Sequence, residues 1–164
     1  MARQPHVFEI DLARPDGSAT LDAEGRPQIV GGAPPEFGGT PDVWSPEHLL
    51  LSSVALCFLT TLDFYAKRAG LSFGGFRCHA SGTVDKTPTG LAFTGVRLEA
   101  QATVAAGEAG KARELMDKAE RGCLISNSLK CPVDLVAEVV ESGVSADSAR
   151  TGGGHPVTEI GHGK

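Results

Sequence analysis

Aromatic residues are scarce, at 5% of the 164 positions, with a single tryptophan and a single tyrosine. That argues against a surface that stacks successive bases on aromatic platforms. Positive charge is also in short supply, with 15 Lys and Arg against 20 Asp and Glu and a net charge of −5. Nucleic acid and anionic membranes are bound through clustered Lys and Arg, and no such cluster occurs, so neither is an expected partner. The four cysteines, Cys57, Cys78, Cys123 and Cys131, form no CxxC pair, and no histidine lies at zinc-finger spacing from them. A structural zinc site is excluded on that pattern, and the scattered His6, His48, His79, His155 and His162 give no other metal constellation. No phosphate-cradling glycine loop precedes a helix, so no nucleotide and no other cofactor is expected. The longest apolar stretch, Leu49–Leu51 followed by Val54–Leu59, is broken by Ser52 and Ser53 and reads as short of a membrane span. The first six residues, Met1-Ala-Arg-Gln-Pro-His6, lack an apolar signal core. The expectation is a cytoplasmic chain whose cysteines are thiols rather than a disulfide framework.

What is present is apolar patterning punctuated by 21 glycines and 10 prolines. Residues 1–141 read as one domain and residues 142–164 as a flexible Gly- and His-containing tail. Over residues 6–30 the pattern gives short extended pieces, with turn chemistry at Arg14-Pro15-Asp16-Gly17 and a second strand at Arg26–Val30. Residues 31–44 read as a loop. Ser45-Pro46-Glu47 is a helix start: an N-cap hydroxyl, a proline at the first helical position and an acid at the positive end of the dipole. Lys67-Arg68 and Gly70 supply the stop. Apolar on most sides between Leu49 and Phe64, this helix is expected to be covered on more than one face. Phe76 to Val84 and Leu91 to Val104 alternate as two strands of a hairpin. Glu108–Arg121 reads as a second helix, Cys123–Leu129 as the start of a short third, and Pro132–Val140 as a last strand. The fold class is α+β, with an antiparallel sheet wrapped on a central helix.

Read from spacing alone, Cys57 in the apolar helix is a small core residue, because free cysteine is among the most buried residue types. A helix middle gives a thiolate no dipole assistance, so a reactive Cys57 calls for a cation from elsewhere. Cys123 follows Gly122 at a helix break and faces free N–H groups, which makes it the more acidic thiol of the two. Either a turn residue or a reactive group fits that position. Cys78 on its strand and Cys131 before Pro132 read as structural.

Two motifs then carry a resemblance. Pro35-Glu36-Phe37-Gly38-Gly39 leads into Ser45-Pro46-Glu47-His48-Leu49-Leu50-Leu51-Ser52-Ser53-Val54-Ala55-Leu56-Cys57, and Ala119-Glu120-Arg121-Gly122-Cys123-Leu124-Ile125-Ser126-Asn127 follows the hairpin. In this order they resemble the OsmC/Ohr family of osmotically induced proteins and organic hydroperoxide reductases. The helix looks nearer an OsmC-like third branch than either main group.

The resemblance implies an OsmC-like fold in an intertwined homodimer, with sites at the subunit interface. It implies a peroxidatic Cys57, a resolving Cys123, a glutamate at Glu47 and an arginine from the N-terminal region. Arg14 is the choice, because Arg14-Pro15-Asp16-Gly17 is similar to the family's Arg-x-x-Gly turn, and Arg26 is the runner-up. The implied substrate is an organic hydroperoxide and the implied reductant a dithiol, of which a lipoyl protein is one kind. Phe37, Trp44 and Phe58 are the residues expected to line an apolar entrance. Glu47 and Cys57 are ten residues apart on one helix, or about 15 Å along its axis, which no glutamate side chain spans. If both serve one site, one of them is expected from the partner chain. The competing readings are a non-catalytic binding or oxidant-sensing protein of the same fold, and a protein whose four cysteines are all core.

Overall fold

The computed structural model describes residues 5–16 and 18–142, so all but the first residue of the expected tail lies outside the described part. The chain begins with a small antiparallel sheet of β1 (Asp11–Asp16), β2 (Ser18–Asp22) and β3 (Ile29–Gly31). Arg14 therefore lies within β1 rather than in a turn. The short strand Ser18–Asp22, which the sequence pattern had not marked, pairs with both neighbours. The loop that follows holds one 3-10 turn, Pro35–Phe37. It is tied back to β3 by Gly32 N–H to the Trp44 carbonyl at 3.0 Å and Trp44 N–H to the Val30 carbonyl at 3.2 Å.

That tie delivers Ser45 to the start of α1 (Pro46–Ala69), where its buried hydroxyl accepts from the His48 N–H at 3.2 Å. The helix ends as its sequence dictates. Gly70 adopts φ 65°, and the Leu71 N–H reaches back to the Ala66 carbonyl at 3.0 Å, closing a Schellman turn. One stripe of α1, spaced by four, is buried: Val54, Phe58, Leu62 and Ala66. Its opposite side leaves Leu56 62% and Phe64 55% exposed, so a single chain covers the helix on one face only. By length and composition α1 also meets the requirement for a membrane span, with mean hydropathy 1.7. This corrects the expectation that Ser52 and Ser53 break the run: two hydroxyls lower the mean too little. In this fold the buried stripe belongs to the protein core.

The core partner is the second sheet, β4 (Gly75–Thr87), β5 (Gly90–Ala105) and β6 (Val133–Ser142), together with α2 (Ala109–Arg121). Inward residues of β5 recur with period two, Val96, Leu98, Ala100, Ala102 and Val104, all at most 2% exposed. Ala112, Met116 and Ala119 close the core from α2. Each fully buried large side chain here, such as Phe58 or Leu62, contributes about 1.5–3 kcal/mol. β4 and β5 form the expected antiparallel hairpin, but β6 runs parallel to β5, with Val133 opposite Val96 and Val139 opposite Ala102. The sheet is therefore mixed, which corrects the all-antiparallel expectation. The α2 crossover returns the chain to the same end of the sheet, as parallel strands require.

A two-sulfur candidate site on one face of the long helix

Cys57, Thr61 and Tyr65 follow one another at intervals of four on α1 and so share one helix face. Opposite that face, α2 ends at Gly122 and the chain folds into a tight turn. The Cys123 N–H bonds the Glu120 carbonyl at 3.0 Å, and the Cys123 carbonyl accepts from the Asn127 N–H at 3.0 Å. The Cys123 sulfur lies inside this turn, fully buried, with the Ser126 N–H donating to it at 3.5 Å. Two residues of the turn, Leu124 and Ile125, bring their backbone N–H groups near enough to the Cys57 sulfur to favour its ionised form.

The two thiols lie near enough to act on each other, and their acidities are pushed in opposite directions. At Cys57, burial raises the pKa, but four donors outweigh it: the Ile125 N–H, the Cys123 thiol, the Leu124 N–H and the Thr61 hydroxyl. The net result is a thiol more acidic than an ordinary cysteine. At Cys123, burial raises the pKa, the Ser126 donors oppose it, and the hydrogen bond and charge of Cys57 push it up again. Cys57 is thus the more acidic thiol of the pair and Cys123 the less acidic.

This reverses the expectation that Cys123 is the more acidic thiol. N–H groups after Gly122 do favour a thiolate, but those of Leu124 and Ile125 act on Cys57 rather than on Cys123. The expectation that Cys57 needs a cation also changes, because the donors acting on it within this chain are neutral. Thr61, Leu124 and Ile125 went unremarked in the sequence. Only the spacing of four from Cys57 could have flagged Thr61.

The other expected site residues lie elsewhere in the chain. Arg14 is exposed on β1 and is not among the groups acting on Cys57, and Arg26 donates to the Glu24 carbonyl at 2.7 Å. Glu47 occupies the first turn of α1, facing a cleft of about 430 Å³ walled by Phe37, Leu51, Val84, Leu91 and Phe93. Its Oε2 is buried and takes no hydrogen bond among the described residues. Gly82 is what lets Phe93 form that wall: a Cβ there would lie 2.6 Å from the Phe93 ring and 3.0 Å from Leu51. Phe58, expected at an entrance, is instead sealed in the core against Phe76 at 6.1 Å between ring centroids. Cys78 faces inward on β4 with Phe76 and Ala80, burial pushes its thiol pKa up, and Cys131 packs on the same core. Among the described residues no group of three or more His, Cys, Asp or Glu could hold a metal ion.

The chain is similar to known proteins in sequence and in fold. Residues 39–138 match the model of the OsmC-like protein family. The peroxiredoxin OsmC of Escherichia coli (strain K12) is 27% identical over 128 residues, covering 78% of this chain and 89% of that protein. Among solved structures, an OsmC-like protein of Mycoplasma pneumoniae superposes with a TM-score of 0.71 at 19% identity, over 84% of this chain and 99% of its own. An organic hydroperoxide resistance protein OsmC of Legionella pneumophila superposes with a TM-score of 0.66 at 22% identity, over 84% of this chain and 99% of its own.

Proposed function

This chain belongs to the OsmC family, and on that premise we propose that it is a thiol-dependent peroxidase reducing organic hydroperoxides to alcohols. The observation that carries the reading is the pairing of Cys57 on α1 with Cys123 in the turn after α2, near enough that each acts on the other's acidity, with Cys57 pushed down and Cys123 pushed up. A nucleophile and its resolving partner need that division. Two of the similar proteins bear the names peroxiredoxin and organic hydroperoxide resistance protein.

The Cys57 thiolate attacks the peroxide oxygen distal to the alkyl group. The O–O bond breaks, the sulfur, oxidised by two electrons, keeps the distal hydroxyl as a sulfenic acid, and the alkoxide takes up a proton from solvent and leaves as alcohol. The Cys123 sulfur then attacks the sulfenic sulfur. An S–S bond forms, the S–O bond breaks, and hydroxide departs with the thiol proton as water. A dithiol reductant, such as a lipoyl group, returns both cysteines to thiols and is itself oxidised to a disulfide. Such reductants operate in a reducing compartment, and we assign the protein to the cytoplasm on that ground.

The working unit in this reading is a homodimer. Three features support it: the exposed Leu56 and Phe64 on α1, the exposed Leu12 and Val30 of the N-terminal sheet, and the buried Glu47 oxygen that takes no hydrogen bond among the described residues. Glu47 receives an arginine, for which we take Arg14 of the partner subunit, and the pair flanks the other protomer's Cys57. A guanidinium held bidentately by a carboxylate there adds to the stabilisation of the thiolate that the neutral donors begin. The apolar walls of the Glu47 cleft favour an alkyl peroxide over hydrogen peroxide.

The test is consumption of cumene hydroperoxide with dihydrolipoamide by the wild type, Cys57→Ser and Cys123→Ser. The reading expects turnover lost in Cys57→Ser, and in Cys123→Ser one oxidising event without efficient recycling. Wild-type turnover no higher than that of Cys57→Ser, with organic and with hydrogen peroxide, would sink the enzyme and leave a binding or oxidant-sensing protein.

A further inference from the structure

Gly122 immediately precedes Cys123 and sits at φ −92°, ψ −1°, a conformation open to any residue. Its backbone shape therefore does not explain why it is glycine. Space does. A Cβ built there would lie 2.9 Å from the Tyr65 hydroxyl oxygen, 3.2 Å from the Lys118 carbonyl oxygen and 3.4 Å from the Tyr65 ring. Tyr65 fills the notch that the missing side chain leaves. The ring is itself held on two sides, by the Lys118 ammonium 4.5 Å above its centroid and by the Phe64 ring edge-on at 5.4 Å. Tyr65 lies on the same face of α1 as Cys57, two turns further along.

One helix thus faces the resolving segment at two points: at Cys57, on whose acidity Cys123, Leu124 and Ile125 act, and at Tyr65, packed against the residue before Cys123. We propose that Tyr65, seated in the Gly122 notch, is a positioning residue that holds Cys123 in register with Cys57 for formation of their disulfide. The proposal rests on the peroxidase reading above and concerns its second step alone, attack of the Cys123 sulfur on the Cys57 sulfenic sulfur with departure of water. The first step, attack on peroxide, is made by Cys57, whose acidity Leu124 and Ile125 of the same segment favour. Contact at 2.9 Å is shorter than a Cβ tolerates, and with the Tyr65 ring held by Lys118 and Phe64 and the Lys118 carbonyl at 3.2 Å behind it, an added methyl pushes the segment and the ring apart. Displacement of that kind in a reaction that demands near-contact geometry slows it by about tenfold.

The full chain, reduced and mixed with one equivalent of cumene hydroperoxide, is quenched over time with dimedone and N-ethylmaleimide. Mass spectrometry then counts Cys57 thiol, sulfenic adduct, sulfinic acid and disulfide. In Gly122→Ala the sulfenic acid, once formed, should convert to disulfide about tenfold more slowly than in the wild type and so accumulate, a ratio read independently of how fast the Cys57 thiol is lost. Removing the phenol oxygen makes room for the methyl, so the double variant Gly122→Ala with Tyr65→Phe should recover most of the wild-type rate. Tyr65→Leu, which empties the notch without adding bulk, should slow disulfide formation as Gly122→Ala does. Disulfide formation at the wild-type rate in Gly122→Ala or Tyr65→Leu would overturn the proposal, as would a double variant no faster than Gly122→Ala. A wild type whose Cys57 is not oxidised at all would instead bring down the peroxidase reading beneath it.

Discussion

Thr61 offers the sharpest test of how Cys57 is made acidic. Its hydroxyl stands one helical turn beyond Cys57 and is the smallest of the four donor influences on that sulfur. Replacing it by valine keeps the branched shape and removes the donor. A hydrogen bond to a charged group is worth about 1.5–3 kcal/mol, and the least of four shared donors falls below that range, at about 1 kcal/mol. That is about fivefold in the thiol–thiolate equilibrium. The sign follows from the protonation states: the donor favours thiolate, so Thr61→Val shifts Cys57 toward thiol. Alkylation of Cys57 by iodoacetamide, followed by peptide mass spectrometry across pH, reads the thiolate directly and needs no peroxide. Below the Cys57 pKa the valine variant should react about fivefold more slowly; well above it the two curves should meet. Thr61→Ser should restore the wild-type profile. A valine curve identical to wild type, or one lowered equally at every pH, would refute the assignment of Thr61 as a donor to the thiolate.

Two further outcomes follow from where side chains are buried. Phe58→Ala should lower the unfolding free energy by about 3–5 kcal/mol in urea titrations, because Phe58 is fully buried between α1 and the second sheet. The same variant would lose little stability if Phe58 lined an open entrance. Cys78→Ala should leave peroxide turnover within about twofold of wild type, since Cys78 faces the core from β4 and burial pushes its pKa up. A large fall in turnover with retained stability would move Cys78 into the site.

Features coded within a few neighbouring residues were legible in the chain itself. Ser45-Pro46 and Gly70 set the ends of α1 at Pro46 and Ala69, because caps act through hydrogen bonds three to five residues long. The period-two pattern of β5 and the apolar stripe of α2 were equally local, and the structure buries those residues as their spacing requires. The family motifs around Cys57 and Cys123 could be read for the same reason. Short strands could not: in Ser18–Asp22 only Ala19 and Leu21 alternate with polar neighbours, too little to mark a strand, and its pairing with β1 and β3 makes it one.

The direction of β6 belongs to the tertiary fold, because it depends on where the α2 crossover brings the chain back, and a strand's own side chains read the same in either direction. So does the choice of which sulfur is the acid. Free N–H groups after Gly122 were visible in sequence, but their targets were not, because Cys57 and the Leu124–Ile125 amides meet only when α1 packs against the end of α2. The same packing seats Tyr65 in the Gly122 notch. Acidity and register at this site are properties of contacts between segments remote in sequence, and no local pattern encodes a contact whose partner lies on another element.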